Sequence, residues 1–157
     1  MPLRIGLGFD AHRFAPGLPL VLGTVAIDHP DGLAGHSDGD VLAHAVVDAV
    51  LGAAGLGDIG THFPSSDPAW EGADSSIFLS RANARVAAEG FVVVNIDATV
   101  ICEAPRLHPY REKISAALAS LLGGGAVSVK ATTTDRMGFA GRGEGIAAIA
   151  VALLESD

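Results

Sequence analysis

Two short segments of this chain carry residue types that do chemistry together. The first is Gly8-Phe9-Asp10-Ala11-His12, at the end of an apolar run from Leu3 to Phe9. The second is His36-Ser37-Asp38-Gly39-Asp40-Val41-Leu42-Ala43-His44, whose last residues fall in a helical pattern. Residues i and i+2 of a strand point to one face, so Asp10 and His12 can bind one metal from one surface. His44 offers a third ligand. Two imidazoles and a carboxylate make a zinc-type site with one position open, the arrangement of catalytic rather than structural zinc. A plainer reading stands beside it. An Asp-x-His pair alone is a weak signal, and His44 can equally be a helix-face histidine held by Asp40 or Asp48, each four residues away.

A third segment, Lys130-Ala131-Thr132-Thr133-Thr134-Asp135, leaves an apolar run and enters a glycine-rich stretch, Gly138 to Gly145. Three consecutive hydroxyls and free backbone N–H groups suit phosphate oxygens. Asp135 suits a hard divalent cation such as Mg²⁺. The alternative is a hydroxyl-rich turn that satisfies its own backbone. The spacing of a nucleotide-binding P-loop is absent. Arg142 lies between glycines that permit close ligand approach, so it reads as a phosphate clamp or as a surface arginine. Lys130 is a phosphate contact or an ion-pair partner at the core edge. His36 and Ser37 precede a helix N-terminus, which favours anions. His29, His62 and His108 carry no chemical pattern, and Cys102 reads as a small core residue.

The elements that must position these groups follow from periodicity and breakers. Leu3 to Phe9 reads as a strand, and Leu20–Leu22 with Val25–Ile27 as a hairpin turning at Gly23-Thr24. Gly32 to Gly39 reads as a loop. A helix capped by Asp38 or Asp40 runs to about Ala54, with apolar residues at helical spacing. Gly55 to Asp74 reads as a long loop, a length that is usually functional or mobile. Ser75 to Glu89 is helical and stopped by Gly90. Phe91 to Ile101 alternates as a strand, and Pro109 to Leu122 is a helix with proline at its start. Ala126 to Ala131 is a short strand, Thr132 to Gly145 a loop, and Ile146 to Leu154 a last, buried strand. This order predicts one α+β domain over residues 1–157, a single mixed sheet with helices on one face.

Composition narrows the partners. The chain is 49% hydrophobic but only 5% aromatic. No apolar run approaches the ~18 residues of a membrane helix, so the apolar excess points to burial between subunits of a homo-oligomer. The formal charge of −8 argues against a general nucleic-acid binder. It leaves room for a small phosphorylated ligand held by a metal and backbone N–H groups. The single cysteine excludes an internal disulfide and a multi-cysteine metal site. With the first strand starting almost at Met1, neither a signal nor a transit peptide is expected, and the cytoplasm is the expected location.

Taken together, the segments resemble the 2-C-methyl-D-erythritol 2,4-cyclodiphosphate synthase family. The residues that carry the resemblance are Gly6 to His12, His36 to His44, Gly57-Asp58-Ile59-Gly60, His62-Phe63-Pro64, Lys130 to Thr134 and Gly141-Arg142-Gly143-Glu144-Gly145. They span nearly the whole chain in the family's order. The resemblance implies a substrate, 4-diphosphocytidyl-2-C-methyl-D-erythritol 2-phosphate, whose 2-phosphate attacks the β-phosphorus of its own diphosphate. CMP leaves and the cyclic diphosphate forms. It also implies roles. Asp10, His12 and His44 hold Zn²⁺, and Asp135 holds Mg²⁺ or Mn²⁺. His36 and Thr133 stabilise the transition state, and Ser37 contacts substrate with Asp10, His12 and His36. Asp58, Ile59 and Gly60 bind the ribose side. The loop Phe63, Pro64, Ser65, Ser66 and Asp67 closes over the methylerythritol.

Further along, Ala104, Pro105, Arg106 and Leu107, with Thr132, Thr133, Thr134 and Asp135, frame the cytosine and its phosphates. The resemblance further implies a homotrimer about a three-fold axis with active sites between subunits. Its central channel would take an isoprenoid diphosphate near Phe139 and Arg142. Two positions depart from the family's usual pattern: Ser65-Ser66-Asp67 replaces an acidic loop, and Asp135 stands where glutamate is common. Two other readings compete. One is a metal-dependent phosphohydrolase that releases linear products; the other is a trimeric isoprenoid-diphosphate-binding protein without turnover.

Overall fold

The computed structural model describes residues 2–156. Five strands form one mixed sheet in the order β4-β1-β7-β5-β6, and β2 and β3 form a separate hairpin. The strands are β1 (Leu3–Pro16), β2 (Leu20–Leu22), β3 (Val25–Ile27), β4 (Asp31–Leu33), β5 (Phe91–Ile101), β6 (Ala126–Thr132) and β7 (Gly145–Ser156). The helices are α1 (Val41–Ala53), α2 (Ile59–His62), α3 (Ser75–Ala88), α4 (Arg111–Leu121) and α5 (Gly138–Gly141). β5 and β6 run parallel, while β4, β1, β7 and β5 pair antiparallel. The mixed α+β expectation holds, with the hairpin standing outside the single sheet.

α1 is the central element. Its apolar residues go nearly all the way round, and eleven of its residues are buried, as befits a helix enclosed on every side. It packs on β1, β7 and α3. Close approach requires small residues on both partners. A Cβ on Gly8 would lie 1.8 Å from the Ala45 carbonyl oxygen, and one on Gly6 would lie 2.0 Å from that of Ala49. On β7 the facing residues are Ala148, Ala150 and Ala152, all fully buried. A β-bulge between Val93 and Asn95 lets Val93 and Ile96 both reach the core from β5.

The opposite face of the sheet is bare. Leu3, Ile5, Leu7 and Phe9 on β1 are 56–74% exposed, and Ile149 and Val151 on β7 stand beside them. The last strand, which the sequence predicts as buried, is therefore covered on one face only.

Several boundaries differ from expectation. β1 runs well past Phe9, so Asp10 and His12 lie inside a strand paired with β7 rather than at its end. Asp31–Leu33 pairs with the far end of β1, inside the segment expected to be loop from Gly32. The long 55–74 segment holds α2 and a 3-10 turn over Pro68–Trp70, and its aspartates act as caps: Asp58 for α2, Asp67 for the 3-10 turn and Asp74 for α3. The hairpin turn at Gly23-Thr24 is as expected, with φ of 57° and 67°, the positive pair that a two-residue turn of this kind requires.

Candidate functional site

The site forms where β1 crosses the start of α1. Asp10 and His12, two residues apart on one strand face, meet His44 from the first turns of the helix. Asp10 Oδ2 lies 2.7 Å from His12 Nε2 and 3.1 Å from His44 Nδ1, and the two ring nitrogens are 3.3 Å apart. Among the described residues these three side chains make up the one cluster able to grip a metal. Burial pushes the Asp10 carboxyl upward, but hydrogen bonds and charge from His12 and His44 outweigh it and hold Asp10 well below the usual carboxylate range. The same hydrogen bond, donated by His12 to Asp10, raises His12 above an ordinary histidine.

Donor chemistry tests the fit to a metal. His12 Nδ1 is 2.6 Å from the carbonyl oxygen of Ala34. A carbonyl only accepts, so Nδ1 carries the proton and the neutral ring turns the Nε2 lone pair to the site. One carboxylate oxygen and two imidazole nitrogens then converge from three directions, a donor set suited to zinc and similar divalent ions. The donors fit.

The surroundings correct one alternative for His44. Neither Asp40 nor Asp48 holds it. Asp40 is fully buried and accepts hydrogen bonds from the Gly23, Thr24 and Ala43 N–H groups at 2.9, 2.7 and 3.0 Å, tying the hairpin to the α1 N-terminus. Burial pushes its carboxyl up to about 6. Asp48 accepts from the Ile59 N–H at 2.7 Å and so anchors α2. The His44 ring instead meets Ser37 Oγ and Ser75 Oγ with its far nitrogen, at 3.0 and 3.2 Å.

A cleft of about 350 Å³ opens over the cluster. It is lined by Asp10, His12, His36, Ser37 and His44 on one side and by Ile59, Gly60, Phe63, Ser65, Trp70 and Phe78 on the other. Phe63, Trp70 and Phe78 pack at centroid distances of 4.8 to 5.8 Å and make an apolar wall. The His36 ring donates to or accepts from nothing on the metal cluster; its Nε2 is 3.2 Å from the Asp67 carbonyl oxygen. The 36–38 loop is pinned to the 72–75 segment by backbone bonds from Gly72 to His36 and from Asp38 to Ala73. Asp58 is exposed at the α2 cap, its carboxyl lowered by the Thr61 hydroxyl.

The remaining sequence candidates lie elsewhere on the chain. Pro105, Arg106, Leu107, Thr132 and Thr133 line a separate cleft of about 230 Å³ with Cys102 and Glu103. Phe139 lines a third, with Ala11, His12 and Arg13. Within one chain, therefore, His36 and Thr133 line different clefts, and Asp135 does not join the metal cluster. The Thr134 hydroxyl donates to the Met137 carbonyl at 2.6 Å, Thr132 to Thr133, and Thr133 Oγ1 accepts from the Asp135 N–H. Local use of these hydroxyls matches the self-satisfying turn. Arg142 is paired with Glu144 at 2.7 Å, both exposed, and Lys130 with Asp97 at 2.8 Å. Cys102 is buried, and burial pushes its thiol up to about 11, as an inert core thiol.

Three contributors escaped the sequence reading: Ser75, Trp70 and Phe78. Each reaches the site from more than 25 residues beyond His44 in the chain, and no local pattern marks them.

The sequence model of the YgbB family matches residues 3–155. The chain belongs to the YgbB family. Within it, the chain is 59% identical over 160 residues to the 2-C-methyl-D-erythritol 2,4-cyclodiphosphate synthase of Alkalilimnicola ehrlichii, covering 99% of this chain and 96% of that one. The fold is shared with the bifunctional IspDF of Campylobacter jejuni at a TM-score of 0.95 and 41% identity, covering 99% of this chain and 43% of that one. It is also shared with the Plasmodium falciparum IspF in complex with CDP, at a TM-score of 0.86 and 32% identity, over 99% and 97% of the two chains. YgbB membership, with relatives of this name over nearly the full length, makes the chain an enzyme of that lyase class. Among the described residues no helix is long and apolar enough to cross a membrane.

Proposed function

We propose that the chain converts 4-diphosphocytidyl-2-C-methyl-D-erythritol 2-phosphate to 2-C-methyl-D-erythritol 2,4-cyclodiphosphate and CMP, in the cytoplasm and as a homotrimer. The observation that carries this reading is the Asp10–His12–His44 cluster at the floor of a cleft, in a chain of this family. In this reading Asp10, His12 and His44 hold Zn²⁺, and Asp135 holds Mg²⁺ or Mn²⁺. The metals supply Lewis-acid charge neutralisation for phosphate oxygens.

The chain's own work is binding and alignment. The reaction joins two phosphates of one molecule, and good alignment of intramolecular partners is worth on the order of 7–11 kcal/mol. His36 and Ser37 sit at the cleft rim, before the α1 N-terminus, where N–H groups favour anions. Asp58, Ile59 and Gly60 hold the ribose, and Phe63 to Asp67 cover the methylerythritol. The Ala104–Leu107 and Thr132–Asp135 segments supply the cytidine side, and the relative in complex with CDP supports a cytidine-diphosphate ligand. No protein nucleophile is needed, in keeping with phosphoryl transfer by positioning.

Support for the trimer is physical. Leu3, Ile5, Leu7 and Phe9 leave a bare apolar sheet face, which is what a subunit interface covers. Within one chain the two halves of the site lie in separate clefts, so packing around a three-fold axis would join them between neighbours. In that arrangement Phe139 and Arg142 face a central channel for an isoprenoid diphosphate.

The deciding experiment is ³¹P NMR of the protein with substrate, Zn²⁺ and Mg²⁺. A pair of cyclic-diphosphate resonances appearing with CMP is expected. Linear phosphates would mean a hydrolase instead, and no turnover with metal bound would mean a binding protein.

A further inference from the structure

The two histidines of the cluster are fixed by different means. His12 is locked by a backbone carbonyl, which no substitution at Ala34 removes. The lock on His44 is built from side chains. Ser75, the first residue of α3, is fully buried. Its Oγ lies 2.5 Å from Asp38 Oδ1, and its N–H donates to Asp38 Oδ2 at 2.8 Å. An ionised carboxylate only accepts, so the Ser75 proton goes to Asp38, in the short range of a charge-assisted O–H···O⁻ bond. Ser75 Oγ therefore turns lone pairs toward His44 Nε2, 3.2 Å away. Nε2 is thus met by an acceptor, and with the proton there Nδ1, 3.1 Å from Asp10 Oδ2, is free to present its lone pair to a cation held between them.

Ser37 Oγ is also 3.0 Å from His44 Nε2. It differs in setting, because Ser37 lines the open cleft and its hydroxyl can turn to a ligand. Ser75 lies behind the ring with its proton already committed. Asp38 is committed too, because its Oδ1 also accepts from the Asp40 N–H at 3.1 Å.

We propose that Ser75, oriented by Asp38, is a positioning residue that fixes the Nε2–H tautomer and ring direction of His44, so that metal affinity depends on a hydroxyl that never touches the metal. This rests on the metal-binding reading above. Ligating histidines as a rule need such an outer partner, and its loss typically costs 10–100-fold in metal affinity. A hydroxyl placed between carboxylate and imidazole carries the same orienting effect one bond further out.

The test is Zn²⁺ affinity by competition with a chromophoric chelator, with the visible d–d spectrum of the Co²⁺-loaded protein as second readout. Ser75→Ala is expected to weaken Zn²⁺ binding about 10–100-fold and to alter the Co²⁺ bands, and Ser75→Thr to restore both. Ser37→Ala is expected to change affinity less. Unchanged affinity and spectrum in folded Ser75→Ala would overturn the inference, as would a large loss confined to Ser37→Ala. The wild-type protein gives an independent check without any variant. Imidazole ¹⁵N shifts of the Zn²⁺-loaded protein should show His44 protonated at Nε2 and His12 at Nδ1. The opposite tautomer at His44 would overturn the inference. Failure of the wild type to bind Zn²⁺ at all would instead strike the metal reading on which it rests.

Discussion

The metal cluster and the threonine loop, both rich in polar groups, differ in where those groups point. At the cluster, β1, the 36–38 loop, α1 and the start of α3 aim side chains inward at one another, with His44 buried and a partner on both of its ring nitrogens. In the Thr132–Gly145 segment the hydroxyls and charges are used within a few residues: Thr134 on Met137, Thr133 on Asp135, Arg142 on Glu144. The first region is organised by one chain alone. The second has the composition of a phosphate site without convergence within one chain, which the proposed function would make half of a shared site.

The largest effect that would break this contrast is at the cluster. Asp10→Ala should abolish Zn²⁺ binding and lower turnover by about 10³-fold or more, since losing several kcal/mol of charge stabilisation is about a factor of ten per 1.4 kcal/mol. A metal titration run beside the kinetics checks it, and near-normal activity without metal would refute the assignment. Next is the packing that places the strand against the helix. Gly8→Ala forces a methyl onto the Ala45 carbonyl and should cost about 3 kcal/mol, the upper part of the range for overpacking. Denaturant unfolding reads this directly, and a loss under about 0.5 kcal/mol would mean that α1 can shift off β1 freely.

A smaller, pH-dependent effect belongs to Asp40. Burial raises its carboxyl to about 6 in the folded chain, above the ~3.9 of an unfolded aspartate. The folded state thus binds this proton more tightly. The resulting stabilisation is full below the unfolded value and is lost as pH rises through about 6. Between about pH 4.5 and 7 the wild type should lose stability relative to Asp40→Asn, in which the titration is gone. Parallel unfolding curves at both pH values test the sign, and a constant difference would show that the carboxylate is not strained. The smallest effect is expected for Lys130→Ala. Its pair with Asp97 is about half exposed on both sides, so subunit stability should change by under about 1 kcal/mol.

Local signals in the sequence specify structure where the physics is local. The Gly23-Thr24 turn, the Asp40 cap, the α1 periodicity and the stop at Gly90 depend on residues within one turn of one another. The metal triad was legible because strand alternation and a neighbouring helix start limit how three donors can meet. What escaped was long-range. The sequence marks Asp40 as a cap and as a candidate holder of His44, but its other partners are hairpin N–H groups 16 and 17 residues earlier. Trp70 reaches the cleft from the 55–74 segment, which reads as a long loop because its aspartates signal caps only once the short helices they cap are known, while Ser75 and Phe78 start a helix whose pattern does not say what it packs against. The β1 extension past Phe9 depends on pairing with β7 at the other end of the chain.

Subunit complementation tests the central claim, that one chain holds the metal half of the site and its neighbour the cytidine half. His44→Ala and Thr133→Ala proteins, each inactive alone, would be mixed, dissociated and reassembled. In a mixed trimer one of the three interfaces pairs an intact cluster with an intact threonine loop. Random reassembly should then restore about a quarter of the wild-type rate. No recovery, with mixed oligomers shown to have formed, would contradict the account and require both halves of the site to act within a single chain.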